Sequence, residues 1–204
     1  MKILLVADTH YSYRYNYVDN IFSFKAFEAC ICLGDIENLM IDYLAEKCKD
    51  RDAPIYVLDG NHDNYKDLKN EYINFIHMKY FRLGNYNCYG FGGSYAYKPK
   101  NDTEMLWTQE NSIQLLNDID NVDILFTHDS ISIDKLKFTN RKLRNVLINT
   151  FLSAYNHPGL IGITNLVKKC NPKYHFHGHH HCNLIYQYKN TQCQCIYGFK
   201  MVEI

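Results

Sequence analysis

The feature that most constrains the fold of this chain is a series of five short strand-like runs, each followed at once by polar residues. The runs are KILLVA (2–7), ACICL (29–33), PIYVL (54–58), VDILFTH (122–128) and KYHFHG (173–178). Short runs dominated by apolar residues are typical of strands that are buried on both faces of a sheet. A sheet of such strands must be covered on both faces by other layers.

Helical and hairpin patterns separate these runs. Apolar residues at helical spacing predict helices in ENLMIDYLAEKC (37–48), WTQENSIQLLNDI (107–119) and LIGITNLVKKC (160–170). Glycine breaks and alternating residues predict antiparallel strands or hairpins in MKYFRL (78–83), YNCYGFGG (86–93) and NLIYQYKNTQCQCIYGF (183–199). Strands that alternate with helices and are then joined by hairpins predict an α/β layered domain with a largely mixed sheet.

Length and charge limit the classes of protein to which the chain can belong. Its 204 residues contain no linker and no repeat, which predicts one domain spanning 1–204. The 22 Lys and Arg residues balance 22 Asp and Glu residues, so no basic field favours a nucleic-acid polymer as a partner. The opening apolar run is too short for a secretory signal or a membrane span, and we interpret the chain as a cytoplasmic protein without a membrane partner.

The polar residues that follow the five runs are candidate metal ligands. They are Asp8 and His10, then Asp35, Asn61 and His128, and finally His179 and His181. Because the carboxyl ends of strands in α/β sheets meet at one edge, we expect these side chains to converge. Any one of them could serve only as a turn or cap residue. Carboxylate, amide and imidazole donors spread over five strand ends instead indicate one composite site for transition-metal ions.

These residues resemble the five-part signature of the calcineurin-like metallophosphoesterases. The matching motifs are Asp8-x-His10, Gly34-Asp35, Gly60-Asn61-His62-Asp63, His128 and Gly178-His179-x-His181. The resemblance covers residues 8–181, which is nearly the whole chain. It implies a four-layer α/β/β/α sandwich of two mixed sheets flanked by helices, with two divalent metal ions at one end.

The resemblance also implies a role for each matching residue. Asp8, His10 and His181 would bind the first ion, Asn61, His128 and His179 would bind the second ion, and Asp35 would bridge the two. His62 would act beside the ions as a catalytic residue, and Asp63 would orient its ring. Manganese is the first expectation for both ions, and zinc, iron and nickel suit the same donors.

The implied reaction is hydrolysis of a small phosphodiester, with nucleotides among the candidate substrates. Two metal ions would clamp the phosphoryl group and supply a bound hydroxide for attack, and His62 would protonate the leaving group or stabilise phosphoryl charge. Ile36 and Glu37 follow Asp35 without the Arg-Gly pair of the family's serine/threonine protein phosphatases, and Asp63 stands where those enzymes carry glutamate. The alternatives are a phosphomonoesterase of the same fold and a non-catalytic scaffold that has kept the metal site.

The segment at about 129–159 is expected to be a variable insertion on the substrate side of the domain. Its basic stretch KLKFTNRKLRN (135–145) either overhangs the site or forms a solvated helix face. Arg141 and His157 are candidate substrate-binding residues within this segment.

The stretch KYHFHGHHH (173–181), which includes the candidate ligands His179 and His181, contains three further histidines. His180 is expected to face away from the two ligands that flank it. His175 and His177 share one face of a strand, and we expect them to be a packed or hydrogen-bonded pair rather than ligands.

Overall fold

The computed structural model describes residues 1–10, 15–24, 26–63, 65–96, 105–132 and 158–204. Arg141, His157 and most of the expected insertion lie outside these residues. The strands are β1 (Lys2–Ala7), β2 (Ala29–Cys32), β3 (Ile55–Val57), β4 (Ile73–Phe75), β5 (Lys79–Leu83), β6 (Tyr86–Phe91), β7 (Ser94–Tyr95), β8 (Leu106–Trp107), β9 (Ile124–Thr127), β10 (Tyr174–His177), β11 (Leu184–Tyr188), β12 (Thr191–Cys195) and β13 (Gly198–Glu203). The α-helices are α1 (Tyr15–Phe24), α2 (Asn38–Lys49), α3 (Gln109–Leu116) and α4 (Ile161–Cys170).

The strands form two large mixed sheets, and β7 and β8 pair separately. The first sheet has the order β13-β1-β2-β3-β4, in which β13 is antiparallel to β1 and the other pairs are parallel. The second sheet has the order β11-β12-β10-β9-β6-β5, in which β12, β10, β9 and β6 pair in parallel and the two edge strands are antiparallel. All five strand-like runs of the sequence therefore form inner strands of the two large sheets.

Alternation along the strands produces three apolar layers. In β1, Ile3 and Leu5 lie in the core between the two sheets, which also contains Phe126 of the second sheet. Leu4 and Val6 belong instead to the core shared with α1 and α2, and a third core joins the second sheet to α3 and α4. Each fully buried Ile or Leu side chain contributes about 1.5–3 kcal/mol to stability. The result is the four-layer α/β/β/α sandwich that the resemblance implies.

The sequence pattern does not predict α1, β4, β13 or the short strands β7 and β8. Helix α1 buries Val18, Ile21 and Phe22 against the first sheet, and the helical spacing of these three residues is a signal present in the sequence. Strand β13 continues from the predicted hairpin at 183–199 but joins the opposite sheet, with Glu203 opposite Lys2 of β1. Pairing between residues so far apart leaves no local signal in the sequence.

The helices in the described ranges are all too short or too polar to span a membrane.

His175 and His177 are buried in β10 and hydrogen-bonded, in line with the interpretation of them as a packed pair. The Nε2 atom of His175 is 2.8 Å from Thr127 Oγ1, and the Nε2 atom of His177 is 3.0 Å from the Tyr186 hydroxyl. Burial lowers the pKa of both rings, that of His177 to about 4. Both are therefore neutral side chains of a buried polar layer.

We expect His77 to make the metal-free protein lose stability in mild acid. Its ring stacks on Trp107 and its Nδ1 accepts a hydrogen bond of 3.0 Å from the Gly92 N–H. Burial lowers the pKa of His77 from 6.5 to about 4. The unfolded chain therefore binds the extra proton first, so this stabilisation is complete above about pH 6.5 and is lost as the pH falls through 6.5 towards 4.

Urea unfolding of wild type and of His77→Leu checks this expectation. Between about pH 7 and pH 5, His77 should account for about 2 kcal/mol of the loss in unfolding free energy, and the variant should lack that share. Since His175 and His177 also titrate, the difference between the two proteins is the relevant quantity. Identical pH slopes would contradict the assignment.

Candidate metal centre

All seven expected ligands lie at one end of the sandwich. They follow β1, β2 and β3 of the first sheet and β9 and β10 of the second, so parallel strands of both sheets direct their carboxyl ends there. Six of the seven fall into two groups, and within each group the candidate ligand atoms lie within 4.8 Å of one another. The convergence expected from the strand ends is therefore present in the described residues.

The first group contains Asp8, His10 and His181. The Nε2 atoms of His10 and His181 are 3.1 Å apart. Asp8 is fully buried, whereas the two imidazoles lie nearer the solvent. The first group thus combines one deep carboxylate with two rings that border an opening.

The second group contains Asp35, His128 and His179. Asn61 adds a further oxygen, because its Oδ1 is 3.1 Å from His128 Nε2. The Nδ1 of His128 is 2.7 Å from the Leu33 carbonyl oxygen. In a neutral His128 ring the Nδ1–H donates to that carbonyl, which leaves Nε2 as the metal-binding nitrogen.

Asp35 belongs to the second group and also lies beside the first. Its Oδ2 is 3.9 Å from His10 Nε2 in the first group and 3.6 Å from His128 Nε2 in the second. Its Oδ1 accepts a 3.0 Å hydrogen bond from the backbone N–H of His62, which fixes the orientation of the carboxylate. One oxygen of a buried carboxylate therefore faces both groups.

The donors and their spacing fit divalent metal ions. Ligands at about 2.0–2.2 Å from a tetrahedral or octahedral ion are about 2.8–3.6 Å from their neighbours. The 3.1 Å separations at His10–His181 and Asn61–His128 lie in that range. Both carboxylate oxygens of Asp8 are buried, and neither accepts a regular hydrogen bond from the described residues. A buried carboxylate in that state is costly unless a cation meets it.

The carboxylates and His128 at this end of the molecule shift one another's pKa values. Burial alone would lower the pKa of His128, but the Asp35 and Asp8 carboxylates outweigh it and raise that pKa to about 10. Burial raises the pKa of Asp8 well above its usual range, and His128 and the nearby His179 backbone N–H offset only part of this effect. A cation is thus favoured at this end of the molecule.

The backbone at the strand ends is strained. Five of the seven candidate ligands have left-handed backbone angles, namely Asp8 (φ 51°), His10 (φ 42°), Asp35 (φ 54°), His179 (φ 69°) and His181 (φ 48°). Each such non-glycine residue costs on the order of 1–2 kcal/mol. These turns direct side chains from separate strands to one point. Backbone strain concentrated at the candidate ligands indicates a functional site, and this indication is independent of the sequence motif.

The motif glycines allow the strand ends to approach one another closely. A Cβ atom at Gly60 would lie 2.1 Å from Asp35 Oδ1 and 2.5 Å from the Asp35 nitrogen. A Cβ atom at Gly34, which has φ +96°, would lie 2.6 Å from His128 Nδ1. Any larger residue at either position would displace candidate ligands.

Gly60→Ala should therefore weaken both folding and metal binding. Overpacking of this kind costs about 1–3 kcal/mol, and here it displaces the carboxylate that faces both groups. Urea unfolding and Mn²⁺ titration measure the two effects separately. Gly84→Ala is the control for metal binding: at φ +55° it should also lower stability, but its Cβ would meet only the flexible end of Met1, so Mn²⁺ affinity should stay at the wild-type value. Wild-type Mn²⁺ affinity in a folded Gly60→Ala protein would contradict this expectation.

Asp63 holds the backbone rather than the ring of His62. Its Oδ2 accepts hydrogen bonds of 2.6 Å from the N–H groups of Asp35 and Gly60, and its Oδ1 accepts one of 3.2 Å from Ile36. Within the described residues, no hydrogen bond joins its carboxylate to the His62 ring. The structure thus departs from the expectation that Asp63 orients that ring. Burial, together with the Asp35 charge, raises the pKa of Asp63 to about 7.

His62 borders an open cleft beside the two groups. Its exposed ring lies 6.0 Å, between centroids, from the ring of His10, and it belongs to neither ligand group. The cleft has a volume of about 390 Å³ and is lined by His10, Asp35, Ile36, Glu37, Asn38, Leu39, His62 and Asp63. An imidazole in this position is accessible to a substrate that occupies the cleft.

The sequence pattern does not predict one wall of the cleft. It is formed by the residues that open α2, where Leu39 is 70% exposed although the helical pattern places it among apolar residues. The sequence does contain one indication of this wall: residues 36–39 directly follow the candidate ligand Asp35. Residues that directly follow a ligand at a strand end necessarily lie close to the site.

Comparison with known proteins identifies the family. Residues 1–196 match the family model described as the calcineurin-like phosphoesterase superfamily domain. The chain therefore belongs to the calcineurin-like phosphoesterase superfamily, whose members are metal-dependent, and the resemblance drawn from the motifs is confirmed. A search of curated proteins found no match to this chain.

Solved structures confirm the fold. A protein of Thermus thermophilus aligns with a TM-score of 0.61 and 11% identity over 97% of this chain and 89% of that one. The phosphopantetheinyl hydrolase of Mycobacterium tuberculosis gives 0.57 and 11% over the same shares. Vps29 of Entamoeba histolytica, solved with zinc, gives 0.50 and 11% over 100% of this chain and 86% of that one. At these identities the similarity establishes the fold alone.

Proposed function

We propose that this protein is a dinuclear metal-dependent phosphodiesterase that acts on a small phosphodiester. The observation that carries the proposal is Asp35, whose Oδ2 faces His10 of one ligand group and His128 of the other. Members of this superfamily are metal-dependent, and a single carboxylate oxygen between two donor groups is the arrangement that a pair of bridged ions requires.

The first ion would be held by Asp8, His10 and His181, the second by Asn61, His128 and His179, and both by Asp35. When bound, two divalent ions supply positive charge for the phosphoryl oxygens and lower the pKa of water. Manganese is proposed because carboxylate, amide and imidazole donors suit it, and zinc, iron or nickel would be held by the same atoms.

The lining of the cleft favours a diester over a monoester. Among its described lining residues there is no Lys or Arg, and Glu37 adds a negative charge. A phosphomonoester carries a second negative charge near neutral pH, and the described lining offers no cationic side chain beside the proposed ions to neutralise it, whereas a diester carries only one. Exposed Leu39 offers apolar surface to the organic group of an ester. A volume of about 390 Å³ suits a small substrate, with nucleotides among the candidates.

His62 is the proposed catalytic residue. Its ring is exposed beside the ligand groups, where it can donate a proton to the leaving oxygen or a hydrogen bond to a phosphoryl oxygen. Asp63 is proposed as a positioning residue, since it binds the backbone N–H groups of Asp35 and Gly60. Arg141 and His157 remain proposals as substrate-binding residues of the segment at 129–159.

The test compares bis-p-nitrophenyl phosphate with p-nitrophenyl phosphate, using protein stripped with chelator and reloaded with Mn²⁺. We expect metal-dependent hydrolysis with a higher kcat/KM for the diester. Faster hydrolysis of the monoester would replace the proposal with a phosphomonoesterase. No hydrolysis of either ester by protein that holds two Mn²⁺ ions would favour the non-catalytic scaffold.

A further inference from the structure

Two loops supply three of the proposed ligands from the second sheet. The loop after β9 carries His128, and the loop after β10 carries His179 and His181. We propose that His180 is a positioning residue whose ring clasps these two loops together and so sets the affinity of the site for metal. This inference rests on the proposed metal site and extends it to a residue that binds no ion.

The ring of His180 lies away from the cleft and against the neighbouring loop. Its side chain is 3% exposed, its Nε2 is 3.0 Å from Ser130 Oγ, and the same atom is 3.7 Å from Asp129 Oδ1. Both contacts cross from the β10 loop to the β9 loop. His180 therefore lies between two proposed ligands in the sequence, and its Nε2 reaches Ser130 and Asp129 of the β9 loop.

The direction of the hydrogen bond follows from its partner. The Ser130 hydroxyl has one proton, which it donates to the Ile131 carbonyl oxygen at 3.1 Å. Ser130 Oγ therefore accepts a hydrogen bond from the Nε2–H of His180. The nearby Asp129 carboxylate favours the same protonated nitrogen.

The β9 loop, which His180 contacts, is itself held in place by hydrogen bonds. Asp129 Oδ2 accepts a hydrogen bond of 2.8 Å from the Tyr95 N–H, and its Oδ1 accepts one of 2.7 Å from the Ser130 N–H. Asp129 is fully buried. His180 is thus anchored to a loop that is tied to the second sheet and to the strand that carries Tyr95.

The loop that carries His180 needs such an anchor. His179 and His181 both have left-handed backbone angles, which persist only where surrounding contacts determine them. The Gly178 N–H donates to the His128 carbonyl oxygen at 3.0 Å and ties the start of this loop to the β9 loop, and within the turn the His180 N–H donates to the Gly178 carbonyl oxygen at 2.9 Å. The His180 ring supplies the contact at the centre of the turn, between the two strained ligands.

Mn²⁺ titration calorimetry on four proteins tests the clasp. His180→Leu removes the donor and should bind Mn²⁺ about 10–100-fold more weakly, the usual effect of losing a group that orients metal ligands. His180→Gln places an amide N–H near Ser130 Oγ and should recover most of the affinity. His77→Leu removes another hydrogen-bonded histidine, which is half-buried and belongs to neither ligand group, so it should lower stability and leave Mn²⁺ affinity at the wild-type value. Ser130→Ala removes the acceptor and should weaken Mn²⁺ binding in the same direction as His180→Leu.

The outcomes separate the clasp from the proposed function. Wild-type Mn²⁺ affinity in folded His180→Leu protein, alongside a wild type that binds Mn²⁺, would overturn the clasp and leave the metal site standing. If His180→Leu does not fold, Ser130→Ala decides in the same way. A wild type that binds no Mn²⁺ would overturn both proposals. Equal weakening by His77→Leu would show a general loss of stability and would also overturn the clasp.

Discussion

Replacing Asp35 by asparagine should lower kcat/KM for a phosphodiester by at least about a hundredfold. Asparagine keeps the shape of the side chain and the Oδ1 that accepts from the His62 N–H. It replaces the Oδ2 that faces His10 and His128 with an amide nitrogen, which does not bind a cation. We therefore expect a folded protein with fewer bound ions and almost no metal-dependent hydrolysis.

Asp19→Asn provides a matched control for this variant. The Asp19 carboxylate accepts a hydrogen bond of 2.6 Å from the Tyr43 hydroxyl and pairs with Lys47 at 2.7 Å, outside the metal centre. The same chemical change at this exposed pair should leave kcat/KM within about twofold of wild type. An Asp35→Asn protein with wild-type activity and wild-type metal content would show that Asp35 does not bridge two ions.

Changing His62 to glutamine should lower kcat by about 10²–10⁴-fold, the range that general acid–base catalysis contributes. The bound metal should stay at the wild-type number of ions, because His62 belongs to neither ligand group. Steady-state kinetics and metal analysis on the same preparation separate the two effects. A variant that keeps its metal and its kcat would remove His62 from the mechanism.

The choice of leaving group distinguishes two roles for His62. A p-nitrophenolate leaves readily without a proton, whereas an alkoxide needs one. If His62 is the general acid, His62→Gln should lose more activity on an alkyl diester than on a p-nitrophenyl diester. Equal losses would assign the ring to stabilisation of charge on the phosphoryl oxygens.

The sequence predicts the candidate site better than it predicts the path of the chain. Asp8, Asp35 and His128 each follow a short apolar strand, and the rule that strand ends meet at one edge was enough to place them together. Strand β13 shows the opposite case. Its pairing with β1 depends on tertiary contacts across the whole chain, so no local pattern indicates it.

Asp63 shows why a motif does not determine every contact within it. Its position after His62 suggested a carboxylate that orients the ring, yet three backbone N–H groups surround it in the folded chain. Those N–H groups become close only when the turns after β2 and β3 meet at Gly34 and Gly60. The left-handed backbone at five of the candidate ligands has the same origin, because it depends on turns whose geometry the side-chain pattern does not encode.

The number of Mn²⁺ ions bound per chain tests the central claim most directly. Stripped protein would be dialysed to equilibrium against Mn²⁺, and bound metal and protein would be measured in the same sample. The account predicts two ions per chain for the wild type and fewer for Asp35→Asn, while Asp19→Asn keeps both. A wild type that saturates with one ion or none, or an Asp35→Asn protein that still holds two, would contradict a bridged dinuclear centre.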